Sequence, residues 1–147
     1  MNTNVAFVTY NSLDGFPNGP IERNRRTALI VQDTNGRGSL SEGKRTRTKD
    51  EIKAVIEGQW NTLESALPNL DRLVVYVGAG GSGRAIELAA KLPPEKLTLI
   101  GCSCGIEEKE AMVQKAGLGG VDRRLCECGG HRTMIAMINV FLETGTV

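Results

Sequence analysis

Residues 71–101 read DRLVVYVGAGGSGRAIELAAKLPPEKLTLIG and decide the fold class of this chain. The apolar, β-branched run at 72–77 predicts a strand. The glycine-rich turn that follows, residues 78–83, leads into a helical pattern that extends to Leu92. Residues 97–101 then predict a second strand. A strand, a crossover helix and another strand form the unit from which parallel sheets are built.

The same alternation extends outward from this unit in both directions. Upstream, the runs at 4–10 and 27–33 predict two further strands. Downstream, the pattern predicts a helix, a short strand and a last helix, at 106–116, 121–125 and 133–142. The sequence therefore predicts an α/β fold, a Rossmann-like three-layer sandwich with a mostly parallel sheet. A length of 147 residues predicts a single domain spanning residues 1–147.

Two polar stretches separate the first elements. Residues 11–20 are dense in Asn, Asp, Gly and Pro and predict a loop. The whole connection to the second strand is longer than a tight hairpin needs, and it carries Arg23, Arg25 and Arg26. Residues 35–49 contain three glycines and five cations, which is typical of an exposed loop, with or without a role of its own.

A helix is expected between this polar stretch and residue 71. Thr48 can act as its N-cap, and Glu51, three residues later, completes a capping box. Pro68 is expected to end it. One face is apolar at helical spacing and predicts burial, with Trp60 in the core: Ile52, Val55, Ile56, Trp60, Leu63 and Leu67.

The composition narrows the class of protein. Hydrophobic residues make up 40% and charged residues 24% of the chain, as in ordinary globular domains. A formal net charge of +1 gives no reason to expect duplex nucleic acid as a partner. We find neither a secretory signal nor a run long enough to span a bilayer, so we expect a cytoplasmic protein with no membrane partner.

The glycine-rich turn is the first candidate site. Its glycines at 78, 80 and 83 fit G-x-G-x-x-G, with a predicted strand before it and a predicted helix after it. Glycines allow a close approach of the backbone to a phosphate, and a following helix offers free N–H groups. The alternative is a tight turn that needs glycine for its φ angles alone. The predicted ligand-binding residues here are Gly78, Gly80, Gly81, Ser82, Gly83 and Arg84.

This turn resembles the dinucleotide-binding fingerprint of Rossmann proteins, over about half of the chain. The resemblance implies a nucleotide whose phosphates contact the turn. The fingerprint also has an acidic residue after the next strand, about 20 residues on, which binds ribose hydroxyls. That position falls here near Ser103, and the first acidic residue beyond it is Glu107. A mononucleotide, a phosphate ester or an oligonucleotide end therefore fits no worse than NAD.

Four cysteines form a second candidate site, as two Cys-x-Cys pairs: Cys102 with Cys104, and Cys126 with Cys128. Each pair follows a predicted strand, and two right-handed crossovers would place those strands side by side. Four thiolates together could hold zinc or an iron–sulfur cluster. Reactive or redox thiols, and simple packing as small buried hydrophobes, are the alternatives.

A second turn, Gly129-Gly130-His131-Arg132, precedes the last predicted helix and makes a second candidate anion site. His131 is the only histidine in the chain, and it is the candidate catalytic residue, as a general acid or base. It could also act as a metal ligand beside the cysteines, or lie at the surface as an ordinary helix start.

Together these motifs predict binding of a phosphate-bearing ligand, a nucleotide or a short or cyclic oligonucleotide, at the carboxyl edge of a parallel sheet. One alternative is a small enzyme, hydrolase or phosphodiesterase-like, using His131 or a reactive cysteine. The other is a regulatory module that binds metal through four cysteines. A homodimer is expected from the frequency with which such domains pair. Polar residues after the first two strands would join this edge if those strands are parallel to the rest: Tyr10, Asn11, Ser12, Asp14, Asp33, Thr34 and Asn35.

Overall fold

The computed structural model describes residues 3–9, 19–32, 49–77, 83–101, 122–123 and 130–147. Within these ranges the chain forms six strands and three α-helices. The strands are β1 (Thr3–Thr9), β2 (Gly19–Arg23), β3 (Arg26–Gln32), β4 (Arg72–Val77), β5 (Leu97–Gly101) and β6 (Asp122–Arg123). The helices are α1 (Lys49–Ala66), α2 (Gly83–Ala89) and α3 (Gly130–Thr144).

The strands form one mostly parallel sheet in the order β2-β3-β1-β4-β5-β6. β1 pairs in parallel with both β3 and β4, and the parallel pairing continues from β4 to β5 and from β5 to β6. This arrangement confirms the predicted α/β character and the mostly parallel sheet. The five parallel strands all end at one side of the sheet, the carboxyl edge, and begin at the opposite side, the amino edge.

The prediction of a plain loop between the first two parallel strands is wrong at its end. Gly19–Arg23 forms β2, which pairs antiparallel with β3. Asn24 and Arg25 make a two-residue turn in which both residues have positive φ, 56° and 61°, as a type I′ hairpin requires. The hairpin is hard to predict from the sequence, because Arg25 occupies a position where glycine is usual. Pro20 weakens the strand signal as well, but an edge strand tolerates proline.

One face of the sheet is covered by α1 and α2. Successive side chains of a strand point to opposite faces, so every second residue of each strand contributes to this core. α1 contributes Ile56, Trp60 and Leu63, and the prediction that Trp60 lies in the core is confirmed by its 1% exposure. The other buried members of this cluster are Ala6, Val8, Leu29, Val31, Leu70, Leu73, Val75, Ala85, Ile86, Leu88, Ala89 and Leu99.

The opposite face of the sheet is covered by α3. Val5 and Phe7 of β1 lie on this face, and the Phe7 ring packs at 55° to that of Phe141 with 6.2 Å between centroids. The other buried members of this second cluster are Ala28, Ile30, Val74, Ile100, Met134, Ile138 and Leu142. Helices therefore pack on both faces of the sheet.

The C-terminal end of α3 is fixed at the amino edge. Asn24 Nδ2 and Arg26 Nη1 donate to the carbonyl oxygen of Leu142, at 2.9 and 3.2 Å. Gly145 then ends the helix with a φ of 79°, and its N–H donates to the Phe141 oxygen. The 15 residues of α3 rise by about 22 Å, close to the length of a seven-residue strand. The first turn of α3 therefore lies toward the carboxyl edge.

Short polar contacts fix the start of β4 between its neighbours. The N–H of Asn4 in β1 donates to Asp71 Oδ2 at 2.7 Å, and the Asp71 N–H donates back to the Asn4 oxygen at 2.9 Å. Arg72 Nη1 donates to Thr98 Oγ1 of β5 at 2.9 Å. Because these bonds join three adjacent strands, they fix where β4 begins.

Two helices differ in length from their predictions. α2 ends at Ala89 rather than Leu92, because the N–H groups of Lys91 and Leu92 bond three residues back, in a tightened turn ahead of Pro93. α3 begins three residues earlier than predicted, at Gly130. The predicted helix at 106–116 lies outside the described residues. Among the helices in the described ranges, none has the length and apolar character needed to cross a bilayer.

Candidate functional site

The carboxyl edge gathers the ends of all five parallel strands. β1, β3, β4, β5 and β6 end there at Thr9, Gln32, Val77, Gly101 and Arg123. The polar residues after β1 and β3 were expected at this edge on the condition that these strands are parallel to the rest. Both strands are parallel to the rest, so the condition is met. Those residues, from Tyr10 to Asp14 and from Asp33 to Asn35, lie outside the described residues.

The direction of winding reverses between β1 and β4. From β1 the chain passes through β2 to β3 on one side, then returns across β1 to β4 and continues outward through β5 and β6. Loops after two adjacent strands diverge at such a reversal and leave a crevice, which is where open α/β sheets bind ligands. The crevice here lies outside the ends of β1 and β4.

The glycine-rich turn begins at this crevice. β4 ends at Val77 and α2 begins at Gly83, so the turn joins a strand in the interior of the sheet to a helix, as predicted. Gly78, Gly80, Gly81 and Ser82 themselves lie outside the described residues. Their ligand-binding role remains a prediction, whereas the strand before them and the helix after them are observed.

The first turn of α3 contains three of the predicted ligand-binding residues, Gly130, His131 and Arg132. Gly129 lies outside the described residues. Because α3 begins earlier than predicted, the backbones of His131 and Arg132 belong to the helix rather than to a turn before it. The first four N–H groups of a helix have no acceptor within it. Those of α3 are on the side of the carboxyl edge, opposite the end fixed by Asn24.

The cysteine pairs follow two adjacent strands. Cys102 comes directly after β5, and Cys126 comes three residues after β6. The structure pairs β5 with β6 in parallel, with Gly101 opposite Arg123, so the predicted neighbouring strands are observed. All four cysteines lie outside the described residues. Within the described ranges, histidine, cysteine, aspartate and glutamate form no group of three or more suited to a metal ion.

Arg84 is the one predicted site residue whose side chain is described in detail, and it contacts α1. Its Nη1 donates to Glu57 Oε1 at 2.6 Å, and its Nη2 lies 3.7 Å from Glu64 Oε1. The guanidinium also lies over the Trp60 ring, 4.7 Å from the centroid. We call Glu57, Trp60, Glu64 and Arg84 the Arg84 cluster.

The electrostatics of the cluster follow from its geometry. The hydrogen bond from Arg84 lowers the pKa of Glu57 below its ordinary value of 4.5, with the Arg84 and Lys53 charges adding to the effect. The same bond raises the pKa of Arg84, and the charges of Glu57 and Glu64 act in the same direction. Both partners are therefore held in their charged forms at neutral pH.

Trp60 connects the cluster to the sheet. Its indole N–H donates to the carbonyl oxygen of Gln32, the last residue of β3, at 3.1 Å. A continuous chain of contacts therefore runs from the end of β3 through α1 to the start of α2, formed by Gln32, Trp60 and Arg84. Sequence reasoning placed Trp60 in the core but missed this hydrogen bond. The polar indole N–H on an apolar helix face was the signal, because a buried indole needs an acceptor.

Two buried polar side chains also mark the carboxyl edge. Thr9 and Gln32 are 1% and 0% exposed, and they are paired across β1 and β3. By strand alternation from Phe7 and Ile30, both lie on the face that α3 covers. The sequence reasoning did not single them out, although a polar residue that ends an apolar strand was a usable signal.

A separate cleft lies at the amino edge, between the β2–β3 hairpin and the end of α1. Its volume is about 270 Å³, and among the described residues no ionisable side chain lines it. Asn4, Leu29, Thr62 and Leu70 are among its lining residues. Its lining residues lie mainly at the starts of β1 and β3 and at the end of α1, away from the carboxyl edge.

Comparison of the chain with protein-family models, with curated proteins and with solved structures finds no match in any of the three. The function of the chain is therefore argued from the chemistry of its own site.

Proposed function

We propose that this chain binds a phosphate-bearing ligand, a nucleotide or a short or cyclic oligonucleotide, at the carboxyl edge of its sheet. The fold proposed with it is a Rossmann-like three-layer sandwich. Helices on both faces support it, and so does the order of the parallel strands, which is 2-1-3-4-5 when they are numbered by themselves. That order occurs among doubly wound α/β folds.

One observation carries the functional proposal. The reversal of winding lies between β1 and β4, and β4 leads directly into the glycine-rich turn. The sequence motif and the strand order both support a site at this crevice. Backbone N–H groups of the turn would bind the phosphate, since glycines let a ligand approach the main chain closely. This proposal gives Arg84 no contact with the phosphate, because its guanidinium contacts Glu57 and Glu64.

The start of α3 supplies the second part of the proposed site. Its first turn lies toward the same edge, and packing of Met134, Ile138 and Phe141 in the core holds the helix in place. Free N–H groups and the N-terminal end of the helix dipole favour an anion there. Arg132 would add charge-assisted hydrogen bonds to the phosphate, and His131 would make its binding pH-dependent.

The first experiment is a thermal-shift and calorimetric screen of AMP, ADP and short linear and cyclic adenylates. A ligand that binds only the folded chain raises the melting temperature. Gly80→Val is expected to abolish that binding while circular dichroism shows an intact fold. Gly58→Val is the matched control, because a side chain at Gly58 of α1 meets open space. Equal affinities of a folded Gly80→Val variant and the wild-type chain would remove the turn from the site.

The second experiment addresses the start of α3. Arg132→Ala is expected to weaken AMP or oligoadenylate binding by about tenfold, on the order of one charge-assisted hydrogen bond. His131→Ala is expected to flatten the pH dependence of affinity between about pH 6 and 8, the range set by the ordinary histidine pKa. Two variants with wild-type affinity and pH profile would show that this helix start lies outside the site.

A metal-binding module is the second candidate, favoured by the observed parallel pairing of β5 with β6. Strands paired in this way bring their ends to neighbouring positions, and each is followed by a Cys-x-Cys pair. Metal analysis of protein purified under reducing conditions tests this candidate. Zinc or iron at one site per chain, lost in the Cys102→Ser and Cys126→Ser variants, would support it. Metal-free protein with four titratable thiols would exclude it.

A further inference from the structure

The side chain of Arg84 contacts α1, although Arg84 comes directly after the glycine-rich turn in the sequence. It is the second residue of α2 and follows the glycine-rich turn directly. A cation directly after such a turn can bind an anion, and the sequence predicted this role for Arg84. Its described contacts are all with α1: a carboxylate on each terminal nitrogen and an aromatic ring against its face.

The charge balance of the Arg84 cluster opposes anion binding by its guanidinium. One positive charge is surrounded by the two carboxylates of Glu57 and Glu64, so the cluster has a net charge of −1. A phosphate approaching Arg84 would meet this negative charge, and it would compete with both carboxylates for the guanidinium. Arg84 is also 40% exposed, so solvent already screens part of its field.

The partner surface of Arg84 is rigid. Trp60 is 1% exposed and is hydrogen-bonded to the end of β3. Glu57, Trp60 and Glu64 are spaced by three and four residues, so they form one stripe along α1. A planar guanidinium that stacks on the ring, donates a hydrogen bond to Glu57 and pairs with Glu64 at 3.7 Å is held in position and in orientation. These contacts hold the backbone of Arg84, and with it the first turn of α2, at a fixed distance from α1.

We infer that Arg84 is a positioning residue, which fixes the beginning of α2 against α1 and so places the glycine-rich turn for its ligand, without contacting the anion. This inference rests on the proposed function for its consequence in binding. The attachment of α2 to α1, which is the structural part of the inference, does not depend on any ligand.

The direction in which one substitution changes the anion affinity distinguishes a positioning role of Arg84 from direct contact with the anion. Glu57→Gln removes the 2.6 Å ion pair. If Arg84 positions the turn, this change weakens anion binding, because the attachment loosens. If Arg84 is instead an anion ligand restrained by its acids, the same change frees it and strengthens binding. Glu87→Gln is the matched control, since Glu87 is exposed on α2 and the substitution removes the same charge.

The experiment measures AMP and inorganic phosphate affinities by calorimetry at constant ionic strength, for the wild type and these two variants with Arg84→Gln and Arg84→Lys. We expect Arg84→Gln and Glu57→Gln to weaken AMP binding about threefold to tenfold relative to Glu87→Gln, with partial recovery in Arg84→Lys. Tighter AMP binding in Glu57→Gln than in Glu87→Gln would overturn the inference. So would an unchanged affinity in Arg84→Gln.

Hydrogen exchange of the α2 amides, in the same variants without ligand, completes the test. We expect faster exchange over Gly83–Ala89 in Arg84→Gln and Glu57→Gln than in Glu87→Gln. Equal exchange in all three would overturn the inference, whatever the affinities. A wild-type chain that binds neither AMP nor phosphate counts against the proposed function for these ligands. Exchange alone then decides whether Arg84 attaches α2 to α1.

Discussion

Trp60 combines three roles in one side chain. It fills the core under α1, donates to the end of β3 and presents its ring to Arg84. Only the first of these follows from helical periodicity. The other two join residues 28 and 24 positions apart in the chain, and they depend on how α1 packs against its neighbours. Periodicity identifies the buried face of a helix, but it does not identify the atoms that the face meets.

Trp60→Phe is expected to lower the free energy of unfolding by about 1 to 3 kcal/mol. The variant keeps an aromatic ring but removes the donor to the buried Gln32 carbonyl. Urea unfolding followed by circular dichroism measures the change. A variant as stable as the wild type would show that the indole hydrogen bond contributes nothing net.

Glu57 is expected to make stability depend on acidity. Its pKa is lowered in the folded chain, so its contribution is present above the ordinary value of 4.5 and is lost as the pH falls through the lowered pKa. The difference in unfolding free energy between the wild type and Glu57→Gln should therefore be largest at neutral pH and shrink below pH 4.5. Urea unfolding at a series of pH values measures it, and a difference that grows in acid would contradict the assignment.

At the scale of elements, the β2–β3 hairpin shows what local sequence conceals. Strands β4 and β5 were predicted with correct bounds, because their apolar runs end at glycine or proline signals. β2 carries a proline, a glutamate and an arginine, which suit an exposed edge rather than a buried strand. β2 forms because it pairs with β3. Such pairing depends on two segments together, so the local sequence of β2 does not predict it.

Arg25→Gly is expected to stabilise the chain by about 0.5 to 1 kcal/mol, because glycine adopts a positive φ without the strain of a Cβ. Asn24→Gly is the matched comparison in the same turn. It relieves a similar φ but removes the hydrogen bond to Leu142, so it should destabilise or leave stability unchanged. Thermal unfolding of both variants distinguishes them, and stabilisation by Asn24→Gly alone would contradict this account of the turn.

For the whole molecule, the sequence predicted the α/β character and the mostly parallel sheet. Alternating strand and helix patterns suffice for that, since parallel strands require crossovers. The reversal of winding between β1 and β4 could not be predicted, because β-branched runs such as those of β1 and β3 do not state which strands are neighbours. The partners of Arg84 could not be predicted for the same reason.

Phe141→Ala is expected to lower the free energy of unfolding by about 3 to 5 kcal/mol, because it removes a fully buried ring from the core beneath α3. Val140→Ala on the same helix is the control. Val140 is 46% exposed, so its change should stay within about 0.5 kcal/mol. Chemical unfolding compares the two, and similar losses would mean that α3 does not depend on its contact with β1.

The hydrogen bond from Asn24 to Leu142 has a consequence for synthesis on the ribosome. It joins residues 118 positions apart, and translation at ordinary rates takes about 6 to 24 s to cover that distance. For most of this interval the apolar side chains of Phe7 and Ile30 have been made, but α3, which covers them, has not. We therefore expect the nascent chain to leave the apolar side chains of this face uncovered for seconds during its synthesis.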